Sequence, residues 1–142
     1  MCGIAGFVNF KGIENPELII KEMTNAISYR GPDNLGLYLD EKYDLALGHR
    51  RLSILDLSND GSQPMISSNK RYVIVFNGEI YNYLEIKEIL KNRNHNVNWR
   101  GNSDTEVLLE SISNLGFVET LQLIKGMFAF AIYDNFKKKL II

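Results

Sequence analysis

Hydrophobic and polar residues recur with two different periods along this chain, and the points where the period changes mark out its elements. Ile4 to Phe10 mix small, β-branched and aromatic side chains ahead of Lys11-Gly12, which predicts a strand entering a turn. Asn15 then offers an N-cap with Pro16 at the first helical position. Ile19, Ile20, Met23, Ala26 and Ile27 come next at helical spacing, so a first amphipathic helix is expected. Arg30-Gly31-Pro32-Asp33 breaks it, because proline disfavours helix in the residue before it and lacks a donor. Leu35–Leu39 and Leu45–His49 read as two strands around the polar turn Asp40-Glu41-Lys42, with a further short extended piece at Leu52–Leu55.

The stretch Leu57–Asn69 is rich in Ser, Asn, Gly and Pro and predicts a surface loop or flap rather than core. Tyr72-Val73-Ile74-Val75-Phe76 is β-branched and aromatic throughout, as a strand buried on both faces should be, and it is expected to stop at Asn77-Gly78. From Asn82 the pattern turns helical. Glu85 completes an Asn-x-x-Glu version of the capping box, and Tyr83, Ile86, Ile89 and Leu90 make the buried stripe. Ser103-Asp104-Thr105-Glu106 is a full capping box, with Leu108, Ile112 and Leu115 after it at helical spacing until Gly116. A shorter helix is expected from Phe117 to Ile124, ending at Gly126. Met127–Tyr133 is an apolar strand, Asp134-Asn135 a turn, and Lys139-Leu140-Ile141-Ile142 the start of a partner strand. That last strand pattern breaks off unfinished, so a sheet truncated at the C-terminus is expected. Grouped rather than alternating strands and helices predict an α+β fold with antiparallel sheets.

Composition narrows the classes. A chain of 142 residues, 45% hydrophobic, suits one domain with a real core. Sixteen basic and 17 acidic residues are interspersed for a net charge of −1, so no basic stripe recommends a nucleic acid or an anionic membrane. Lys137-Lys138-Lys139 reads as a solvated turn. One cysteine excludes an internal disulfide framework, and with two separated histidines it leaves no zinc-ligand cluster. That usage suits a reducing compartment. The first residues lack the basic and apolar regions of a signal peptide, and no apolar run approaches the ~18 residues of a span. A soluble, cytoplasmic chain is expected.

The one cysteine stands at position 2. Removal of Met1 would leave a single residue carrying both a thiol and a free α-amine. A thiol of reference pKa about 8.5 is mostly neutral at pH 7, while an α-amine near about 7.7–8.0 can trade a proton in that range. Such an amine can serve, directly or through one water, as the general base of a thiol nucleophile without a separate histidine. The competing reading, a small buried hydrophobe, is the usual fate of a free cysteine; chain ends, however, are seldom buried.

Asn77-Gly78 carries two readings. After a strand this pair is the strongest short-range signal for a type I′ hairpin, but the residues beyond Glu79-Ile80-Tyr81 read as a capped helix. A strand-to-helix junction leaves backbone N–H groups free, and glycine lets a substrate approach them. The Asn77 side-chain amide and the Gly78 N–H would then form an oxyanion hole, with donors worth roughly 3–4 kcal/mol each. His49-Arg50-Arg51 ends a strand, so His49 and Arg51 share one face and Arg50 takes the other. Arg51 is either a surface charge or the planar fork for a substrate carboxylate. Asp104 is either an acid favoured in the first turn of a helix or the receiver of a substrate ammonium. His49 and His95 read as structural.

The runs Met1-Cys2-Gly3-Ile4-Ala5-Gly6, Arg30-Gly31-Pro32-Asp33, Gly48-His49-Arg50-Arg51-Leu52-Ser53-Ile54-Leu55-Asp56, Gly61-Ser62-Gln63-Pro64-Met65, Asn77-Gly78-Glu79-Ile80-Tyr81-Asn82, Ser103-Asp104-Thr105-Glu106 and Gly126-Met127-Phe128-Ala129-Phe130 occur in one order across the chain. Together they resemble the glutaminase domain of glutamine-hydrolysing asparagine synthetase. The resemblance implies a class II glutamine amidotransferase domain over residues 1–142, with the N-terminal-nucleophile fold of two antiparallel sheets between helix layers. It implies Cys2 as nucleophile, Asn77 and Gly78 as oxyanion hole, and Arg51 on the glutamine α-carboxylate, with Ile54 and Leu55 nearby through backbone groups. Glu79 and Asp104 would hold the α-amine.

In the family a separate synthetase domain comes next, which binds ATP and magnesium and activates aspartate; no cofactor is expected within these 142 residues, and no phosphate-loop motif is present. The implied partners are glutamine and that C-terminal domain, with no nucleic acid, no membrane, and a homodimer left open. Two rival readings stand beside this one: a non-catalytic glutamine-binding or docking module, and an amidotransferase serving another carboxylate acceptor. Retention of Met1 would favour the first rival, because it turns the amine into an amide with no basicity.

Overall fold

Strand pairing among the described residues is antiparallel, with Gly3–Val8 on Leu45–Arg51 and Tyr72–Ile80 on Gly126–Asp134 joining segments far apart in the chain. The computed structural model describes residues 2–8, 12–40, 42, 45–53 and 58–142. Among them, β1 (Gly3–Val8), β2 (Asn34–Asp40) and β3 (Leu45–Arg51) form a three-stranded sheet in the order β1-β3-β2. The strands β4 (Met65–Ile66), β5 (Tyr72–Ile80), β6 (Gly126–Asp134) and β7 (Lys139–Ile141) form a second sheet in sequence order. Four α-helices accompany them among the described residues: α1 (Pro16–Ala26), α2 (Tyr83–Asn92), α3 (Asp104–Leu115) and α4 (Phe117–Leu123).

Alternation along the central strands separates three apolar clusters and so stacks four layers. Ala46, on the outer face of β3, packs with Ile20 of α1. Leu45 and Leu47 on its inner face meet Val73 and Val75 of β5 and Ala131 and Tyr133 of β6. The opposite face of β5 sends Ile74, Phe76 and Ile80 against Ile86 and Leu90 of α2 and Leu108 and Ile112 of α3. The order is therefore helix, sheet, sheet, helices, as expected of the α+β sandwich.

The α1 helix begins at Pro16 as the sequence requires, but it turns a different stripe inward. Ile20 and Thr24 are fully buried, while Met23 and Ala26 of the expected stripe are exposed. The cause lies on β3: a Cβ on Gly48 would stand 2.0 Å from Thr24 Oγ1. Glycine there lets the helix sit directly on the strand, with the threonine hydroxyl turned back to Ile20 O at 2.6 Å. Asn15 precedes the helix in the left-handed region (φ 54°) and makes no side-chain cap.

Other expectations change for similar, long-range reasons. The strand expected to stop at Asn77 continues to Ile80, because β6 pairs with it through Ile80↔Gly126. Asn82 stands at the N-cap of α2 without a capping bond. Its side chain instead donates to Leu123 O at 3.0 Å and accepts from Lys125 N at 2.8 Å, tying the end of β5 to the approach to β6. In the box at α3, Ser103 Oγ accepts from Glu106 N at 3.2 Å, whereas the Glu106 carboxylate receives the amides of Arg100 and Gly101. The supposed flap is partly core: Gly61, Gln63, Met65 and Ser67 are buried, and Met65–Ile66 pairs with β5. Of the piece at Leu52–Leu55, Leu52 and Ser53 have no regular structure, and Ile54 and Leu55 lie outside the described residues.

Candidate active site

The start of β1, the end of β3 and the far half of β5 converge on one cleft. Cys2, Arg51, Asn77, Gly78, Glu79 and Asp104 all line it. Six of the eight sequence candidates are thus brought together, and the other two, Ile54 and Leu55, lie outside the described residues.

Cys2 is half-buried at the mouth of β1. Its sulfur lies against the Leu52 peptide, 3.4 Å from the amide nitrogen that donates to it and 3.7 Å from the carbonyl oxygen. Arg30 Nε donates to the Cys2 carbonyl at 3.0 Å and fixes the backbone behind it. Arg51, at the end of β3, is 7% exposed. One guanidinium nitrogen donates to Ser58 O at 2.6 Å. The other lies where a Cβ on Gly61 would be, 2.1 Å away. Glycine at position 61 is thus the seat of the guanidinium, which is held with its fork at the cleft.

The Gly78 amide owes its freedom to sheet geometry rather than to a strand-to-helix junction. In an antiparallel ladder, residues alternate between facing one neighbour and facing the other. Tyr81 N bonds Lys125 O and Asn135 N bonds Arg71 O, which makes the odd-numbered residues of β5 the ones that exchange bonds with β6. The even residues turn their N–H groups to the opposite edge. On that edge β4 reaches only Val73 and Ile74. Beyond it, Phe76 N donates to Gln63 Oε1 at 2.6 Å and Ile80 N donates to Asp104 Oδ2 at 2.8 Å. Gly78 N–H lies between these two and meets no acceptor among the described residues. Glycine is required there because a Cβ would sit 2.3 Å from Met127 O and 2.5 Å from Phe128 Cα, inside β6. The Asn77 side chain is on the other face, toward the first sheet, as are Val73 and Val75.

Asp104 is 6% exposed and opens α3. Burial raises its pKa above the usual carboxylate range; the amides of Ile80 and Thr105 oppose this, and the Glu79 charge adds to it. Glu79 itself is exposed at the rim. His49 shares the inner face of β3 with Arg51, as alternation requires, while Arg50 on the outer face bonds Thr24 O at 3.2 Å on α1. His49 is fully buried, with Nε2 3.0 Å from Phe76 O. Burial, with a smaller push from Arg51 and against the Phe76 bond, lowers its pKa to about 4.

Gln63 and Gly61 are the residues that reading the sequence passed over. Their signal was available in the run Gly61-Ser62-Gln63-Pro64-Met65, but a polar stretch with glycine and proline reads first as loop.

Comparison with known proteins gives the family. The glutamine amidotransferase domain family matches residues 1–142, the whole chain. This chain belongs to that family. Among its relatives, asparagine synthetase (glutamine-hydrolyzing) 2 of Bacillus subtilis is 43% identical over 147 residues, covering 100% of this chain and 18% of the relative. Asparagine synthetase (glutamine-hydrolyzing) 1 of the same organism is 41% identical over 138 residues, covering 95% of this chain and 21% of the relative. The domain thus corresponds to the glutaminase part of those proteins and spans about a fifth of their length. A solved structure, the B. subtilis glutamine phosphoribosylpyrophosphate amidotransferase with ADP and GMP, aligns with a TM-score of 0.50 at 27% identity over 65% of this chain and 21% of its own. The domain therefore has the N-terminal-nucleophile fold, and no described helix is long and apolar enough to cross a membrane.

Proposed function

We propose that this domain hydrolyses glutamine to glutamate and ammonia through a thioester on Cys2, and that in a full-length enzyme the ammonia is delivered to ATP-activated aspartate. With Met1 removed, the α-amine of Cys2 takes the thiol proton as sulfur attacks the side-chain amide carbon of glutamine. The carbonyl oxygen becomes an oxyanion beside Gly78 N–H and the Asn77 side-chain amide. Collapse of the tetrahedral species breaks the carbon–nitrogen bond, and the proton held by the amine leaves with ammonia. Water then attacks the thioester, passes through a second oxyanion at the same donors, and releases glutamate while the thiol regains its proton.

This reading is supported by a single cleft that gathers the only cysteine, a buried arginine fork and a strand edge with an open amide at Gly78. Arg51 is assigned the α-carboxylate, with Ile54 and Leu55 assisting through their backbone. Asp104 and Glu79 are assigned the α-ammonium. Each oxyanion donor is worth about 3–4 kcal/mol at the transition state. The ATP and magnesium site, and the choice of aspartate as acceptor, are assigned to the length of the relatives that this chain does not span; that segment is the domain's expected partner, in the cytoplasm. The first test is ammonia release from glutamine by the full-length protein. Cys2→Ala should abolish it while leaving the melting temperature in place, and equal release by the variant would overturn the nucleophile assignment in favour of a binding module.

A further inference from the structure

We propose that Gln63 is a positioning residue for glutamine cleavage: its side chain replaces the strand missing from the edge of β5 and so holds the Gly78 amide in line with the oxyanion. The inference rests on the reading of Gly78 as an oxyanion donor.

A strand edge with free N–H groups is held on one side only and can twist or draw in a stray acceptor. Along β5 the problem begins where β4 ends, at Ile74. The next edge-facing residue, Phe76, has both backbone groups fixed by side chains: its N–H donates to Gln63 Oε1 at 2.6 Å and its carbonyl accepts from His49 Nε2 at 3.0 Å. The one after Gly78, Ile80, is held by Asp104. Gly78 is therefore bracketed, and among the described residues its N–H is the amide between these two that meets no acceptor.

Gln63 suits the task because its amide is held at both ends. Its Nε2 donates to Thr105 Oγ1 at 3.2 Å, which joins it to the first turn of α3 beside Asp104. Its backbone is equally confined, since a Cβ on Gly36 of β2 would lie 1.8 Å from Gln63 O. The side chain is 6% exposed, so no water competes freely for the Phe76 amide. One end of the bracket is thus set by Gln63, which like its anchor Thr105 carries no charge, and the other by the Asp104 carboxylate at the start of α3.

A residue that aims an oxyanion donor affects the transition state and spares the ground state. Gln63→Met keeps length and volume but removes both hydrogen bonds. In the full-length protein it should lower kcat for glutamine hydrolysis by about tenfold to a hundredfold with KM changed less than about threefold. The aldehyde analogue of glutamine, which forms a tetrahedral adduct with a thiol, should lose affinity in step with kcat, while glutamate, the planar product, should bind as before. Thr105→Val frees the far end of the amide without emptying the Phe76 site, and should lower kcat in the same direction by a smaller factor; it decides the matter if Gln63→Met fails to fold. A folded Gln63→Met with wild-type kcat, equal weakening of aldehyde and glutamate, or a Thr105→Val effect confined to KM would overturn the inference alone. A wild-type protein that releases no ammonia from glutamine would overturn the glutaminase function and this inference with it.

Discussion

His49 and Arg51 stand two positions apart on β3 and face the same interior, yet Arg51 lines the cleft and His49 is fully buried. Arg51 stands at the cleft, with a donor on Ser58 O and its fork seated over Gly61. His49 sits deeper, and burial lowers its pKa to about 4, the Phe76 bond opposing and the Arg51 charge adding to the shift. Because a carbonyl can only accept, Nε2 carries the proton of the neutral ring, and Nδ1 is left buried without a hydrogen-bond partner among the described residues. An unfolded histidine titrates near about 6.5, so between that pH and about 4 the unfolded chain binds the extra proton. The stability tied to a neutral His49 is complete above about pH 6.5 and declines as pH falls toward 4, by on the order of 2–3 kcal/mol. Asp104 acts in the opposite sense: its raised pKa favours the fold below the ordinary carboxylate range, and that contribution is lost as pH rises through the folded value. His49→Gln keeps a donor for Phe76 O and removes the titrating ring. Urea titrations from pH 7 to 4 should show the variant losing less stability than the wild type over that window; identical slopes would assign the pH dependence to other groups.

At the scale of elements, α3 departs furthest from an ordinary amphipathic helix, since every residue from Asp104 to Ile112 is buried. Its apolar side meets β5 and α2. Its polar side is covered by loops held through carboxylates: Glu106 receives the amides of Arg100 and Gly101, and Glu110 Oε1 accepts both Ser68 N at 2.7 Å and Ser68 Oγ at 2.8 Å. Glu110→Ala leaves the Ser68 amide without its acceptor and should cost about 2–3 kcal/mol of stability; Glu110→Gln keeps an accepting oxygen and should cost clearly less. Chemical denaturation checks the ranking, and a silent Glu110→Ala would mean that this staple adds nothing to the fold. The helices were legible in the sequence because proline at Pro16, the Ser103 cap and Gly116 act within a turn of their own position. The end of β5 was not, because only its pairing with β6, far along the chain, carries the strand past Asn77 to Ile80. The same distinction divides the site. Cys2, Asn77, Gly78 and Asp104 are visible as chemical types in suggestive places, whereas the use of Gln63 depends on which backbone amide faces it across the fold.

For the whole molecule, the consequence is that the site draws on both sheets. Cys2, just ahead of β1, and Arg51 of β3 come from the side of the three-stranded sheet, Asn77, Gly78 and Glu79 from the four-stranded one, and the apolar layer between them, with the His49–Phe76 bond, fixes the distance. Loss of packing in that layer should therefore affect catalysis more than an equal loss between the second sheet and its helices. Leu47 and Leu90 allow a matched comparison, since both are leucines about equally buried, the first in the layer between the sheets and the second under α2. Replacing either by alanine creates a cavity and should cost about 2–5 kcal/mol. A cavity between the sheets lets them close or shear, and misplacement of reacting groups by about 1 Å can cost roughly a hundredfold in rate. Leu47→Ala should then lose ammonia release by at least about tenfold more than Leu90→Ala, assayed well below either melting temperature. Equal activities at equal stability loss would mean that the spacing of sulfur and strand edge is set locally, by the Leu52 and Arg30 contacts around Cys2, and not by the packing of one sheet on the other.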